Sequence, residues 1–260
     1  MVSGNQSDPN ASAITSAVAF LSQNISRSND PDAARALLIA GGKGYTVGTA
    51  LDRVLPALKD PAQWPKDARV HYAVALVAAE RYGKAAMTDL EAAAKLLVAD
   101  QHPDGSYGSM IDSWLARVAL IAAGLQPDNF TVVQIDKYVR GATVESLTDA
   151  LSAALALEWA SDVMAEGLRR TSLGVIRDHQ RASGAFGADG GPPPVYTTAL
   201  AVLALGALDS EPRMARSSYR PEELKDAIAS GKKYLMSQQR PDGSWTESTP
   251  WALLALLGGS

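Results

Sequence analysis

Three histidines, twenty-eight acidic side chains and no cysteine bound the chemistry open to this 260-residue chain. Without cysteine there is no thiolate zinc site, iron–sulfur cluster, thioester or sulfur nucleophile. His71, His102 and His179 have no close metal-ligand spacing, so no metal is expected, and with no cofactor motif in the sequence no cofactor is expected either. Carboxylate and imidazole proton transfer remain, with aromatic rings to support cations. The side chains best placed for such work stand at the starts of apolar helical runs, where the helix end carries partial positive charge. They are Asp67, Arg69, His71 and Tyr72; Asp112, Ser113 and Trp114; Glu145, Ser146 and Asp149; Tyr196 and Thr197; and Ser248, Thr249 and Trp251. Among these, Asp112, His71 and Asp149 are the candidates for catalysis, and Tyr72, Trp114, Tyr196, Thr197 and Trp251 for ligand binding. Each has a plainer reading. Acids in a first helical turn are commonly dipole partners, an interior histidine is commonly a hydrogen-bonded wall residue, and Trp114, Trp159 and Trp251 fit core positions.

These residues need helices to position them, and the sequence reads as helices throughout. Alanine, the best helix former, occurs 45 times, and strand signals are nearly absent. Glycine and proline punctuate the chain into pairs. The spacing predicts helices over Ala11–Asn24 and Pro31–Ala40, Val47–Leu58 and Lys66–Tyr82, and Thr88–Asp100 and Ser109–Ala123. It predicts further pairs over Val132–Val139 and Val144–Trp159, Ala165–Gln180 and Val195–Leu208, and Pro221–Gln239 and Thr249–Leu257. Second helices such as VYTTALAVLALGAL are apolar nearly all round and are expected to be buried on every side. First helices such as PEELKDAIASGKKYLMSQ are charged along one face and are expected to meet water. Six such hairpins predict an all-α fold, an (α/α)6 toroid with an inner and an outer ring. A flexible segment is expected over residues 1–11 and one toroid domain over residues 12–260.

One turn pattern recurs three times, as QHPDGSYG from Gln101, QRASGAFG from Gln180 and QRPDGSW from Gln239. Gly105, Gly184 and Gly243 suit a tight turn with positive φ. Asp104 and Asp242 can accept from turn amides. The glutamine amide is expected to tie the outer helix to the next inner helix, and Tyr107, Phe186 and Trp245 to plug the gap between hairpins.

These turns resemble the repeats of the terpenoid cyclase/protein prenyltransferase superfamily. GKKYLMSQQRPDGSW, Gly231 to Trp245, is similar to the QW motif of squalene–hopene and oxidosqualene cyclases, apart from Ser230 at the usual basic position. The copies at Lys95–Tyr107 and Val175–Phe186 are looser, with Leu96 and Val175 where an aromatic is usual. The resemblance implies the toroid fold and leaves the activity open, because these residues brace a scaffold. It also locates the family's protonating DxDD motif, at the start of the inner helix of the fifth hairpin. There this chain reads PVYTTA, and the acidic positions fall on Pro194, Tyr196 and Thr197. None is a strong acid, since a phenol titrates near pH 10. No DDxxD occurs for a magnesium diphosphate site. The zinc chemistry of the prenyltransferases and of LanC-type cyclases, and the thioester of complement-like domains, all need a cysteine.

Three functions follow as expectations. The first is a non-cyclising toroid that serves as a binding or scaffold module for an apolar molecule or a protein partner. The second is an isoprenoid- or lipid-modifying enzyme with an atypical acid, Asp112 or His71. The third is a polysaccharide lyase or hydrolase. A net charge of −4 with no long run of one sign argues against a nucleic-acid surface. The apolar run Val195–Leu208 is too short for a transmembrane helix. Gly187–Pro194, GADGGPPP, resembles no phosphate loop and reads as a stiff exposed link.

Overall fold

The computed structural model describes residues 9–25, 30–156, 163–187, 194–209, 219–246 and 248–258. Residues 1–8, Trp159 and residues 188–193 of the proline link lie outside that set. Twelve α-helices are described: α1 Ala11–Asn24, α2 Pro31–Gly42, α3 Ala50–Leu58, α4 Arg69–Arg81, α5 Met87–Asp100, α6 Met110–Ala122, α7 Phe130–Arg140, α8 Leu147–Ala156, α9 Val163–Asp178, α10 Val195–Asp209, α11 Pro221–Ser237 and α12 Thr249–Leu257. Short 3-10 turns at Pro61–Gln63 and Lys66–Ala68 lead into α4. Among the described residues there is no strand, only isolated bridges inside two of the turns.

Local chemistry sets the helix starts. Asp30 caps α2 by accepting from the Ala33 N–H at 2.8 Å, and Pro31 occupies the first helical position. Ser109 caps α6 by accepting from the Asp112 N–H at 3.0 Å. Pro221 opens α11, where Glu223 accepts from the Arg220 N–H at 3.0 Å. The α12 helix ends at Gly258, whose φ of 86° is a left-handed cap.

The chain packs as two compact units, residues 1–138 and 139–260. In the first, α2, α4 and α6 lie side by side, and α4 buries Val70, Tyr72, Ala73, Val74, Ala75, Leu76, Ala78 and Ala79, all round its axis. Its neighbour α5 buries only Leu90, Ala93, Ala94 and Leu97, a single stripe at helical spacing. The second unit repeats the contrast. There α10 packs against α8, α11 and α12 and is buried along most of its length, while α11 buries Leu224, Ala227, Gly231, Tyr234 and Leu235. Gly231 brings α11 close to α10, since a Cβ there would stand 2.6 Å from Val202 Cγ2.

The three turns share one hydrogen-bond scheme. The backbone N–H of the aromatic residue donates to a hydroxyl on the following inner helix: Tyr107 to Ser113 at 3.0 Å, Phe186 to Thr198 at 3.1 Å and Trp245 to Thr249 at 3.0 Å. Tyr107 Oη donates to the Leu97 carbonyl at 2.8 Å, and Trp245 Nε1 to the Leu235 carbonyl at 2.7 Å. Asp104 and Asp242 accept from the N–H groups of Ser106 and Ser244, both at 2.9 Å. Gly105, Gly184 and Gly243 have φ of 90°, 86° and 88°. The glutamines differ from expectation. Gln101 Nε2 donates to the Gly105 carbonyl of its own turn and to the Thr131 carbonyl of α7, the next outer helix. Gln180 Nε2 likewise reaches the Ala227 carbonyl of α11, and Gln239 Nε2 the Gly243 carbonyl. In the first two copies the glutamine therefore ties outer helix to outer helix. The reason is steric: the turn backbone lies on the neighbouring outer helix so closely that a Cβ on Gly105 or Gly184 would stand 2.3 Å from the Gln134 or Ser230 carbonyl oxygen.

Candidate functional site

Two of the catalytic candidates meet. His71 lies in the first turn of α4 and Asp112 in the first turn of α6, and His71 Nε2 is 3.2 Å from Asp112 Oδ1. A third residue, which sequence reasoning missed, completes the cluster. His71 Nδ1 is 2.9 Å from Asp32 Oδ1, in the first turn of α2. The imidazole thus bridges two carboxylates across three adjacent inner helices, with 25% of its side chain exposed against 18% for Asp32 and 31% for Asp112. Asp32 directly follows Pro31 in the first turn of α2. Its signal was periodic: Asp32, His71 and Asp112 are 39 and 41 residues apart, one hairpin repeat each.

The electrostatics follow from this geometry. Burial by itself lowers the pKa of the His71 imidazole. The hydrogen bonds to Asp112 and Asp32, with their charges, outweigh burial and push it up to about 10. Both ring nitrogens then donate, and the ring is an imidazolium at neutral pH. For Asp112, burial favours the neutral acid, but the bond from His71 and two bonds involving Ser109 win and hold the carboxyl below its usual range. Ser109 Oγ donates to Asp112 Oδ2 at 2.7 Å, so both Asp112 oxygens accept hydrogen bonds. Asp30 behaves differently: burial raises its pKa, despite the bond from Ala33.

The other candidates are placed as follows. Asp149 caps α8, accepting from the Ser146 N–H at 2.9 Å and the Ser146 hydroxyl at 2.7 Å. Tyr72 is buried and stacks on Trp64 with ring centres 5.4 Å apart, an aromatic partner not anticipated from the sequence. The indole N–H of that partner donates to the Ala57 carbonyl at 2.9 Å. Trp114 is 7% exposed and its indole N–H has no acceptor among the described residues. In the second unit, the half-buried Tyr196 meets the buried Trp251 edge to face, with centres 5.6 Å apart. Thr197 is half-buried beside Tyr196, whereas Thr198 is fully buried and belongs to the turn scheme. Among the described residues, no group of three or more His, Cys, Asp or Glu side chains is disposed to hold a metal ion.

The fold class is all-α, an α/α toroid. The chain is similar in structure to the type II terpene cyclase MstE from Scytonema, solved as an alanine variant with its substrate geranylgeranyl dihydroxybenzoate. The match has a TM-score of 0.62 and 16% sequence identity, and covers 91% of this chain and 80% of that one. At that identity the likeness is one of fold. No protein-family model matches the sequence, and no curated protein is similar to it in sequence.

Proposed function

We propose that this protein is a cyclase-like toroid that binds an apolar, prenyl-class ligand without cyclising it. The state of Asp112 carries this reading. An acid that protonates an alkene must hold its proton weakly and present it to a dry cavity. Asp112 is instead held as a carboxylate, with one oxygen facing the His71 imidazolium and the other taken by Ser109. An imidazolium with a pKa of about 10 is itself a weak acid, so the cluster retains its proton. The start of α10 supplies no substitute, because Pro194, Tyr196 and Thr197 carry no carboxyl group. The apolar part of the reading draws on the fold it shares with a cyclase bound to a prenylated substrate, and on the aromatic side chains of Tyr196 and Trp251 beside the helix start.

The test pairs binding with turnover. Purified protein is incubated with squalene or with geranylgeranyl diphosphate. Native mass spectrometry then reads retention, and gas chromatography of the extract reads conversion. Retained, unconverted prenyl compound is expected. A cyclised product, or no retention of either compound, overturns the reading. A second reading, an isoprenoid-modifying enzyme, is favoured by the contact between Asp112 and His71. In that case Asp112→Asn abolishes turnover while the helical circular dichroism is kept.

A further inference from the structure

A cleft of about 320 Å³, bordered on one side by Asp112, opens in the first unit between the turn leading into α4, the C-terminal end of α5 and the first turn of α6. Its volume is at the lower end of the range for small-molecule sites. Its floor is apolar, from Val70 and Leu97, and its walls carry both signs of charge. Arg69 is the most informative wall residue. One nitrogen, Nη1, makes both bonds to Asp100, at 2.9 and 2.7 Å. The guanidinium has two further nitrogens. Nε is buried without an acceptor, and Nη2 has none among the described residues. Nη2, which is not closed off from the surface, is therefore the nitrogen a ligand acceptor can reach. Lys66 and Asp67, both exposed at the lip, form no ion pair among the described residues.

Charge balance selects the ligand. Lys66 and Arg69 face Asp67, Asp100 and Asp112, and the Asp112 charge is offset by His71 behind it. With Asp100 paired to Arg69 and Asp112 to His71, the charges left over among the described residues are Lys66 and Asp67, one of each sign. A molecule carrying one charge of each sign satisfies both poles. We propose that the cleft binds a small zwitterion of the amino-acid type, with its carboxylate on Arg69 and Lys66, its ammonium on Asp67 and its aliphatic part over Val70 and Leu97. This site borders Asp112 of the cluster described above, but it does not depend on the apolar-ligand reading.

L-leucine is a suitable probe. The isotope-labelled full chain is titrated with it and followed by amide NMR. Saturable shifts are expected at residues 66–70 and 97–101, with a Kd of roughly millimolar or tighter, as suits so small a ligand. Isoamylamine, which lacks the carboxylate, and isocaproate, which lacks the ammonium, should each bind about tenfold more weakly, the loss of one charge-assisted bond. Arg69→Gln should weaken L-leucine by a similar factor. Because that change also breaks the pair with Asp100, the exposed variants Asp67→Asn and Lys66→Gln provide the independent check, with the same sign expected. The proposal is overturned by an absence of saturable shifts up to about 20 mM, well above the expected Kd. It is equally overturned if isocaproate binds as well as L-leucine, or if Asp67→Asn leaves affinity unchanged.

Discussion

At the scale of single residues, the bridge from Asp32 through His71 to Asp112 makes stability depend on pH in a defined direction. The His71 pKa is raised from 6.5 to about 10 on folding. Its contribution is therefore fully present below pH 6.5 and is lost as the pH rises towards 10. Asp112 has the opposite sign. Its pKa is lowered from 3.8, so its contribution is present above that value and lost as the pH falls below it. Urea unfolding should therefore show stability declining from about pH 7 to about pH 10, more steeply than in His71→Gln. At about pH 7, His71→Gln removes the cation between Asp32 and Asp112 and should lose about 2–3 kcal/mol, the scale of hydrogen bonds to charged groups. A flat alkaline profile in the native protein would remove the imidazolium from the account. Asp112→Asn should cost about 1–2 kcal/mol, more than an ordinary surface change, because it withdraws a charge from both His71 and Ser109.

At the scale of elements, each turn joins an aromatic N–H to an inner-helix hydroxyl and carries a glutamine bonded across or within the turn, and in the first two a glycine also lies against the neighbouring outer helix. Thr198→Val removes the acceptor for the buried Phe186 N–H and should cost about 1–3 kcal/mol in chemical unfolding. Gly184→Ala combines a φ of 86° with a Cβ placed 2.3 Å from the Ser230 carbonyl oxygen. It should lose at least about 2 kcal/mol and lower the Tm by several degrees. Trp245→Phe keeps most of the buried ring but gives up the bond to the Leu235 carbonyl, an expected loss of about 1–2 kcal/mol. If these variants unfold like the native protein, the turns connect helices without holding them together.

At the scale of the whole molecule, ligand binding is readable as stability. A prenyl compound that binds only the folded chain, present at about a hundred times its Kd, should stabilise it by about 2.7 kcal/mol. For a chain of this size that is a rise of roughly 5–10 °C in Tm, measurable by calorimetry. Geranylgeraniol should produce such a rise and geraniol a smaller one, because the shorter chain buries less apolar surface. Equal shifts from both alcohols would show that burial of the prenyl chain is not the source of affinity.

The all-α class was legible in the sequence because helical periodicity and capping are local. The 45 alanines, Pro31 after Asp30, the stripe Leu90–Ala93–Ala94–Leu97 and the unbroken apolarity of α10 each follow from spacing within a few residues. The three turns were legible for the same reason, since glycine, aspartate and the aromatic residue act on their own backbone. The partners of the glutamine side chains were not legible, because Thr131 and Ala227 lie thirty and forty-seven residues further on. The candidate site divides along the same line. Asp112 and His71 stood out by type and by position at helix starts, but nothing local showed that they touch. The role of Asp32 existed only at the repeat distance, and the stacking of Tyr72 on Trp64 depended on how the 3-10 turns before α4 fold back. The protonation of the cluster was decided last of all. Sequence supplied a carboxyl able to act as an acid, and packing three helix starts together made it a carboxylate beside an imidazolium, because proximity and partial burial, not residue type, set which proton stays.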